Sequence, residues 1–179
     1  FVVGAGDKTP DFTDISGTLE LKNRQFSLLK MTGRFGASPC MLDGFISDFA
    51  LPEPVVYTAK MTVQPVRDEV VWLLGRDRFP KLAFDGTSTL LLSGKGPADN
   101  FHISAFWDLT GAVYRYEDIL EKPAARHNRI AAELILNNDA FRVSSFEYDL
   151  TPVSIRGSAA YRFQGKSPVS LNGSSNHFD

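Results

Sequence analysis

The chain has 179 residues, 43% hydrophobic and 12% aromatic, enough for one substantial folded domain and incompatible with wholesale disorder. Its formal charge of −2 gives no electrostatic case for nucleic acid, which needs a basic face. Cys40 is the single cysteine, so no internal disulfide forms, and no apolar run reaches the ~18 residues of a membrane-spanning helix.

Fourteen glycines and ten prolines, spread along the chain, suit many short strands joined by turns. Phe1-Val2-Val3 starts abruptly, without an initiator Met or a charged leader, and reads as the start of a piece cut from a longer polypeptide. Strands are predicted near 15–22, 25–33 and 40–49, the first two separated by the polar turn Lys22-Asn23-Arg24. The clearest alternation follows: Val55, Tyr57, Ala59, Met61 and Val63 on one face, against Thr58, Lys60, Thr62 and Gln64 on the other. The segment from Pro65 to Gly75 breaks the rhythm. Its early proline, Asp68 and Glu69 in the first turn and closing glycine predict a two-turn helix near 66–75. Trp72 and Leu73 are expected to pack it against one end of a sheet.

A strand near 82–93 comes next, closed by the turn Gly94-Lys95-Gly96-Pro97. Phe101, Ile103, Ala105, Trp107 and Leu109 then alternate with His102, Ser104, Asp108 and Thr110, with Phe106 alone breaking the pattern. Further strands are predicted near 111–117, 130–137 and 141–150, and Val153, Ile155, Ala159 and Tyr161 form an apolar stripe near the end, followed by 168–173. Strands that bury one face and wet the other belong to antiparallel sheets, so the expected class is mainly β.

A loose repeat runs through this series. Leu19, Leu21, Asn23, Phe26, Leu28 and Met31 return 115 residues later as Leu134, Leu136, Asn138, Phe141, Val143 and Phe146. Beyond that point the spacing is read as closing by two, so that Pro39, Leu42 and Gly44 match Pro152, Ile155 and Gly157. A repeated β unit implies stacking of like pieces and points to surfaces rather than one catalytic centre. The chain is therefore expected to be a single β-rich segment, 1–179, of two units, 1–121 and 122–179, with the boundary at the stretch from Glu121 to Arg126.

Nothing in the residues calls for catalysis, a cofactor or a metal. Gly4-Ala5-Gly6 opens like a dinucleotide fingerprint, but Thr9 and Pro10 replace the third glycine and the helix. His102, His127 and His177 stand singly, with no pair at metal-ligand spacing. Cys40, at a strand start without an imidazole partner, reads as a small buried or half-buried thiol.

The run Ile15-Ser16-Gly17-Thr18-Leu19-Glu20-Leu21, then Met31-Thr32-Gly33-Arg34-Phe35-Gly36 and Leu42-Asp43-Gly44-Phe45-Ile46, resembles the AsmA-like proteins of the bacterial envelope. Asp108-Leu109-Thr110-Gly111-Ala112 and Glu121-Lys122-Pro123-Ala124 are similar to the large YhdP-type members, with Ala125 departing from an expected glycine. The likeness covers roughly 15–175. It implies a periplasmic piece of a protein anchored in the inner membrane by a helix elsewhere, with a curved β-sheet whose apolar groove conducts phospholipids between the two membranes, and no enzyme activity. The groove lining would be Val55, Tyr57, Ala59, Met61, Val63, Phe101, Ile103, Trp107, Leu134, Leu136, Ile155, Ala159 and Tyr161. Its partners would be phospholipid or another acyl-chain lipid and neighbouring repeats of the parent chain. An excised unit leaves unpaired sheet edges, so edge-to-edge association of copies is also expected. The alternative on the residues alone is a closed β-sandwich serving as a protein-binding or envelope assembly module, because both structures need one apolar face per strand.

Overall fold

A computed structural model describes residues 10–47, 55–74, 80–118, 120–138, 140–162 and 170–176. Within them the strands are β1 (Phe12–Lys22), β2 (Gln25–Phe35), β3 (Ser38–Ser47), β4 (Val56–Val63), β5 (Leu82–Gly86), β6 (Thr89–Gly96) and β7 (Phe101–Asp108), then β8 (Ala112–Tyr116), β9 (Leu120–Lys122), β10 (Asn128–Leu136), β11 (Ala140–Leu150), β12 (Val153–Arg162) and β13 (Ser170–Ser175). One helix, α1 (Arg67–Leu74), falls between β4 and β5. Ten strands make one open antiparallel sheet in the order β1-β2-β3-β4-β6-β7-β10-β11-β12-β13. The other three, β5-β8-β9, form a small separate sheet.

The alternating sequence explains the large sheet. In β7, Phe101, Ile103, Ala105 and Trp107 are half-buried or buried, while His102, Ser104, Phe106 and Asp108 are exposed. The register carries that phase across the sheet, because directly paired residues of antiparallel strands share a face. Four regular strands in succession, β4, β6, β7 and β10, pair without a shift. Bulges interrupt β1–β2, β2–β3, β10–β11 and β11–β12. A bulge adds a residue to one strand and increases local twist, so the irregularities bend the outer parts of the sheet.

Strands β1–β3 and β10–β12 largely share one register. Leu19 pairs with Leu28 and Leu21 with Phe26, as Leu134 pairs with Val143 and Leu136 with Phe141. The bulge between Leu28 and Met31 on β2 recurs between Val143 and Phe146 on β11. Across that bulge Met31 faces Leu42 and Phe146 faces Gly157, so the 115-residue offset continues into the third strand. The closing by two that aligned Pro39 with Pro152 is therefore corrected: Leu42 matches Gly157, and Gly44 matches Ala159.

The predicted strand near 82–93 is two strands in different sheets. Gly86, at φ +84°, turns the chain where a Cβ would lie 2.5 Å from the Gly111 carbonyl oxygen, a position only glycine fills. β5 then joins the small sheet and β6 the large one. The predicted boundary stretch opens as β9, and its Lys122 is fully buried. The Lys122 ammonium donates to the carbonyls of Leu109 (2.8 Å), Thr110 (2.7 Å) and Ala112, tying β9 under the turn that links β7 to β8. Burial lowers the Lys122 pKa from its ordinary value, with Asp108 opposing that shift.

The helix forms where its boundary signals predict, and Trp72 packs as expected, but Val70 takes the buried place expected of Leu73. Val70 is buried at 1% exposure, while Leu73 points to solvent. Trp72 meets Phe35 edge-on, with ring centroids 5.4 Å apart. Glu69 turns inward and accepts hydrogen bonds from the Ala37 amide (3.0 Å) and the Ser38 hydroxyl (2.9 Å). Ser38 in turn accepts from the Val66 amide at 3.0 Å, so a short polar chain pins α1 to the β2–β3 turn.

Candidate functional site: an apolar sheet face covered at one end

Register places the apolar residues of the large sheet in rows on one face. One row runs Val63, Leu90, Trp107, Ile130, Tyr148 and Ile155 from β4 to β12. The next holds Met31, Leu42, Met61, Leu92, Ala105, Ala132 and Phe146. A third runs Leu19, Leu28, Gly44, Ala59, Gly94, Ile103, Leu134, Val143 and Ala159. Leu21, Phe26, Ile46 and Tyr57 occupy the fourth row on one side, and Phe101, Leu136 and Phe141 on the other.

The predicted lining residues thus share one face. Tyr57, Ala59, Met61 and Val63 stand on β4, Phe101, Ile103 and Trp107 on β7, Leu134 and Leu136 on β10, and Ile155 and Ala159 on β12. Val55 lies one residue before β4 and is half-buried. Tyr161 pairs with Phe141, and its side chain lies outside the described residues. The opposite face is mainly polar: Asp43, Lys60, Ser93, Ser104 and Glu133 form one row, with the Ser104 hydroxyl donating to Glu133 at 2.7 Å. Phe106 sits on that outer face, 39% exposed, whereas its neighbour Trp107 is buried.

The first row is covered from β4 to β10, while Ile155 at its β12 end is 39% exposed. Val70 and Leu74 of α1, Leu82 and Phe84 of β5 and Tyr114 of β8 lie over Val63, Leu90 and Trp107 and close a hydrophobic core. A cavity of about 200 Å3 remains between these layers, lined by Leu74, Trp107, Leu109, Tyr116, Leu120, Ile130 and Tyr148 among others. Its rim is polar and fully paired at one side. The Tyr114 hydroxyl donates to the Asn128 side-chain oxygen (3.0 Å) and meets the Tyr148 hydroxyl at 2.8 Å, while the Asn128 amide donates to the Asp149 carbonyl (3.0 Å). Burial, then the Tyr148 hydrogen bond, raises the Tyr114 pKa well above its ordinary value. The Trp107 indole N–H, by contrast, is buried without a hydrogen-bond partner.

Beyond Met61 and Leu92, which pack against that core, the remaining rows have no covering element among the described residues, yet Leu136 is buried and Ala59, Phe101, Ile103, Leu134 and Val143 are half-buried. Apolar side chains on a bare face screen one another in this way when the sheet bends toward them. Phe101 lies flat on the floor: a Cβ on Gly94 would fall 2.4 Å from its ring. Gly44, Ala59 and Gly94 make a shallow strip beside it. The closed-sandwich alternative describes only the covered end, from Val63 to Ile130 with Met61 and Leu92 beside it.

Sequence reasoning missed Leu90, Leu92, Ile130, Phe146 and Tyr148 as members of this face. Leu90 and Leu92 are hidden in an unbroken apolar run with the exposed Leu91. Phe141, Val143 and Phe146 break period two because a bulge intervenes, and the uneven spacing of the repeated phrase was the available signal. Cys40 is a free, half-buried thiol on the same face, and burial raises its pKa. Among the described residues no group of His, Cys, Asp or Glu could hold a metal ion, and no helix is long and apolar enough to cross a membrane. The Gly4-Ala5-Gly6 segment and His177 lie outside the described residues.

Comparison with family models, curated proteins and solved structures returns no match to this chain.

Proposed function

We propose that the chain is a non-enzymatic periplasmic segment of an AsmA-like envelope protein, whose apolar sheet face binds phospholipid acyl chains and conducts them between the inner and outer membranes. One observation carries this reading: an apolar face continues from β1 to β12 of an open sheet, and beyond one covered end, which takes in Val63, Leu90 and Trp107 and reaches Met61 and Leu92, no described element lies over it. The resemblance in the Gly-, Leu- and Thr-rich strand ends points the same way.

The energetics favour such a surface. A two-chain lipid exposes ~30 methylenes, and at ~0.8 kcal/mol each its transfer through water costs on the order of 25 kcal/mol. A continuous trough lowers that barrier without any specific contact, which suits a face built from Ala59, Ile103, Leu134 and Ala159 with few polar groups. Hydrocarbon needs no catalytic group, no cofactor and no metal.

Native mass spectrometry with lipid extraction, on protein purified from a bacterial host, tests the proposal. Co-purifying phospholipid is expected, and Ile103→Asp or Ile155→Asp should remove it while the fold survives. Met61 is a poorer probe because it packs against the buried cluster, so an aspartate there would unfold the chain on either account. A lipid-free wild-type protein that also fails to take up added phospholipid would overturn the reading.

A further inference from the structure

The buried cluster at the covered end is not close-packed. Between its layers lies the cavity of about 200 Å3, where protein interiors ordinarily hold few voids larger than a water molecule. Trp107, Ile130 and Tyr148 of the large sheet form its floor, and Phe84, Tyr116 and Leu120 of the small sheet its roof. Hydrogen bonds fix the distance between these layers. The Tyr114 hydroxyl of β8 reaches Asn128 on β10 at 3.0 Å and Tyr148 on β11 at 2.8 Å. Lys122 of β9 is anchored to the Leu109, Thr110 and Ala112 carbonyls. The first contacts join roof to floor and the second hold β9 in place, so the space is held open by polar struts rather than left by loose packing. Burial is graded along it: Val70, Leu109 and Leu82 are 1%, 5% and 6% exposed, whereas Leu120 is 38% exposed. The cavity has a deep end and an end near the surface.

The lining defines the class of occupant. No charged side chain is among the described lining residues. The Tyr114 proton goes to the Asn128 side-chain oxygen, so Tyr148 is the donor where the two phenols meet, and both protons are committed. The Trp107 indole nitrogen, although unpartnered, is covered by neighbouring atoms and offers no surface to an occupant. An anion would find no donor there, and an ammonium group no carboxylate. From this we infer that the cavity is a binding site for an uncharged hydrocarbon group, separate from the open face of the sheet and independent of whether that face carries lipid. A dry cavity of about 150 Å3 lined by Leu, Ile and Phe binds benzene, so this one suits a group of about six to eight carbons. A free small hydrocarbon and the methyl end of a longer acyl chain present the same chemistry to it. Either restores the dispersion contacts that the void denies its walls.

Trp107 lines the cavity and Trp72 is the other tryptophan, so Trp72→Phe leaves the full chain with a single reporter. Bromine quenches indole fluorescence at contact distance. Added 1-bromohexane is expected to quench Trp107 saturably, and 6-bromohexanoate, of equal length but charged, to bind at least tenfold more weakly. Ile130→Phe combined with Leu120→Phe, which fills part of the cavity, should weaken bromohexane at least fivefold; Leu120→Phe alone, at a partly exposed position, serves if the pair does not fold. Ile103→Asp on the open face should leave this quenching within twofold of its starting value. Vesicles of phosphatidylcholine brominated near the chain ends or near the carbonyls separate the two sources. Stronger quenching by the chain-end bromines assigns the occupant to the end of an acyl chain, and quenching by bromohexane but by neither vesicle assigns it to a free hydrocarbon. No saturable quenching by bromohexane, or equal binding of bromohexanoate, would overturn the inference. So would loss of quenching in Ile103→Asp with none in the filled variant, which would place the probe on the open face.

Discussion

The covered end and the open remainder of the large sheet share strands, alternation and residue types, yet they do different things. At the covered end Val63, Leu90 and Trp107 meet Val70, Phe84 and Tyr114, and their burial contributes to folding. Two rows further along, Ala59, Ile103 and Leu134 project from the same backbone into a face that no described element covers. The difference lies in what stands opposite, and the opposing layer comes from an insertion between β4 and β6 together with the β8–β9 hairpin. One end therefore acts as the foundation of the sheet, and under the proposed function the rest is the surface that meets lipid.

Substitutions separate the two regions, and the largest effect is expected at the covered end. Trp107→Ala should cost about 3–5 kcal/mol, read as a lowered denaturant midpoint, since it removes the centre of the cluster and enlarges a cavity of about 200 Å3. Lys122→Met comes next, at about 2–3 kcal/mol in the same assay, because three carbonyls lose a charged donor inside the protein. In the open region Ile103→Asp should cost only about 1 kcal/mol, since the carboxylate reaches water, and should abolish lipid retention. A cost there as large as that of Trp107→Ala would mean the face is a sealed core, and the comparison would collapse.

The smallest effect is a pH dependence confined to the covered end. Tyr114 holds its proton above the ordinary value of 10.0, so from about pH 10 upward the unfolded chain ionises this group first. Its contribution is complete below that pH and is lost as pH rises through the window above it, at a slope of at most about 1.4 kcal/mol per unit. Lys122 acts with the opposite sign, since its lowered pKa makes stability rise with pH below 10.5. The difference between wild type and Tyr114→Phe isolates the tyrosine: the variant should lose less stability between pH 9 and 11. An equal loss would show that Tyr114 reaches solvent.

Much of this arrangement was legible in the residues, for physical reasons that also mark where reading stopped. Period-two alternation on β4, β7 and β12 reports a face directly, and it put Tyr57, Ile103 and Ala159 on the same side. The helix was legible from Pro65, Asp68 and Glu69, but its packing face was not, because two turns carry too little periodicity to choose Val70 over Leu73. Local pattern also missed the break within 82–93, which depends on Gly111 approaching Gly86 from the distant β7–β8 turn. The β2 and β11 bulges disguised Met31 and Phe146, although the repeat preserved their spacing. Whether the face was open or sealed lay beyond alternation altogether, because the covering layer is set by long-range topology.

The account rests on one face of the sheet holding acyl chains and the other not, and site-specific photocrosslinking measures that directly. A benzophenone amino acid placed at Ile103, Leu134 or Ala59, and in parallel at His102 or Ser104 on the opposite face, would be irradiated with the protein bound to phospholipid vesicles. The account predicts lipid adducts from the first three positions and none above background from the last two. Adducts of equal yield on both faces, or on neither, would contradict it.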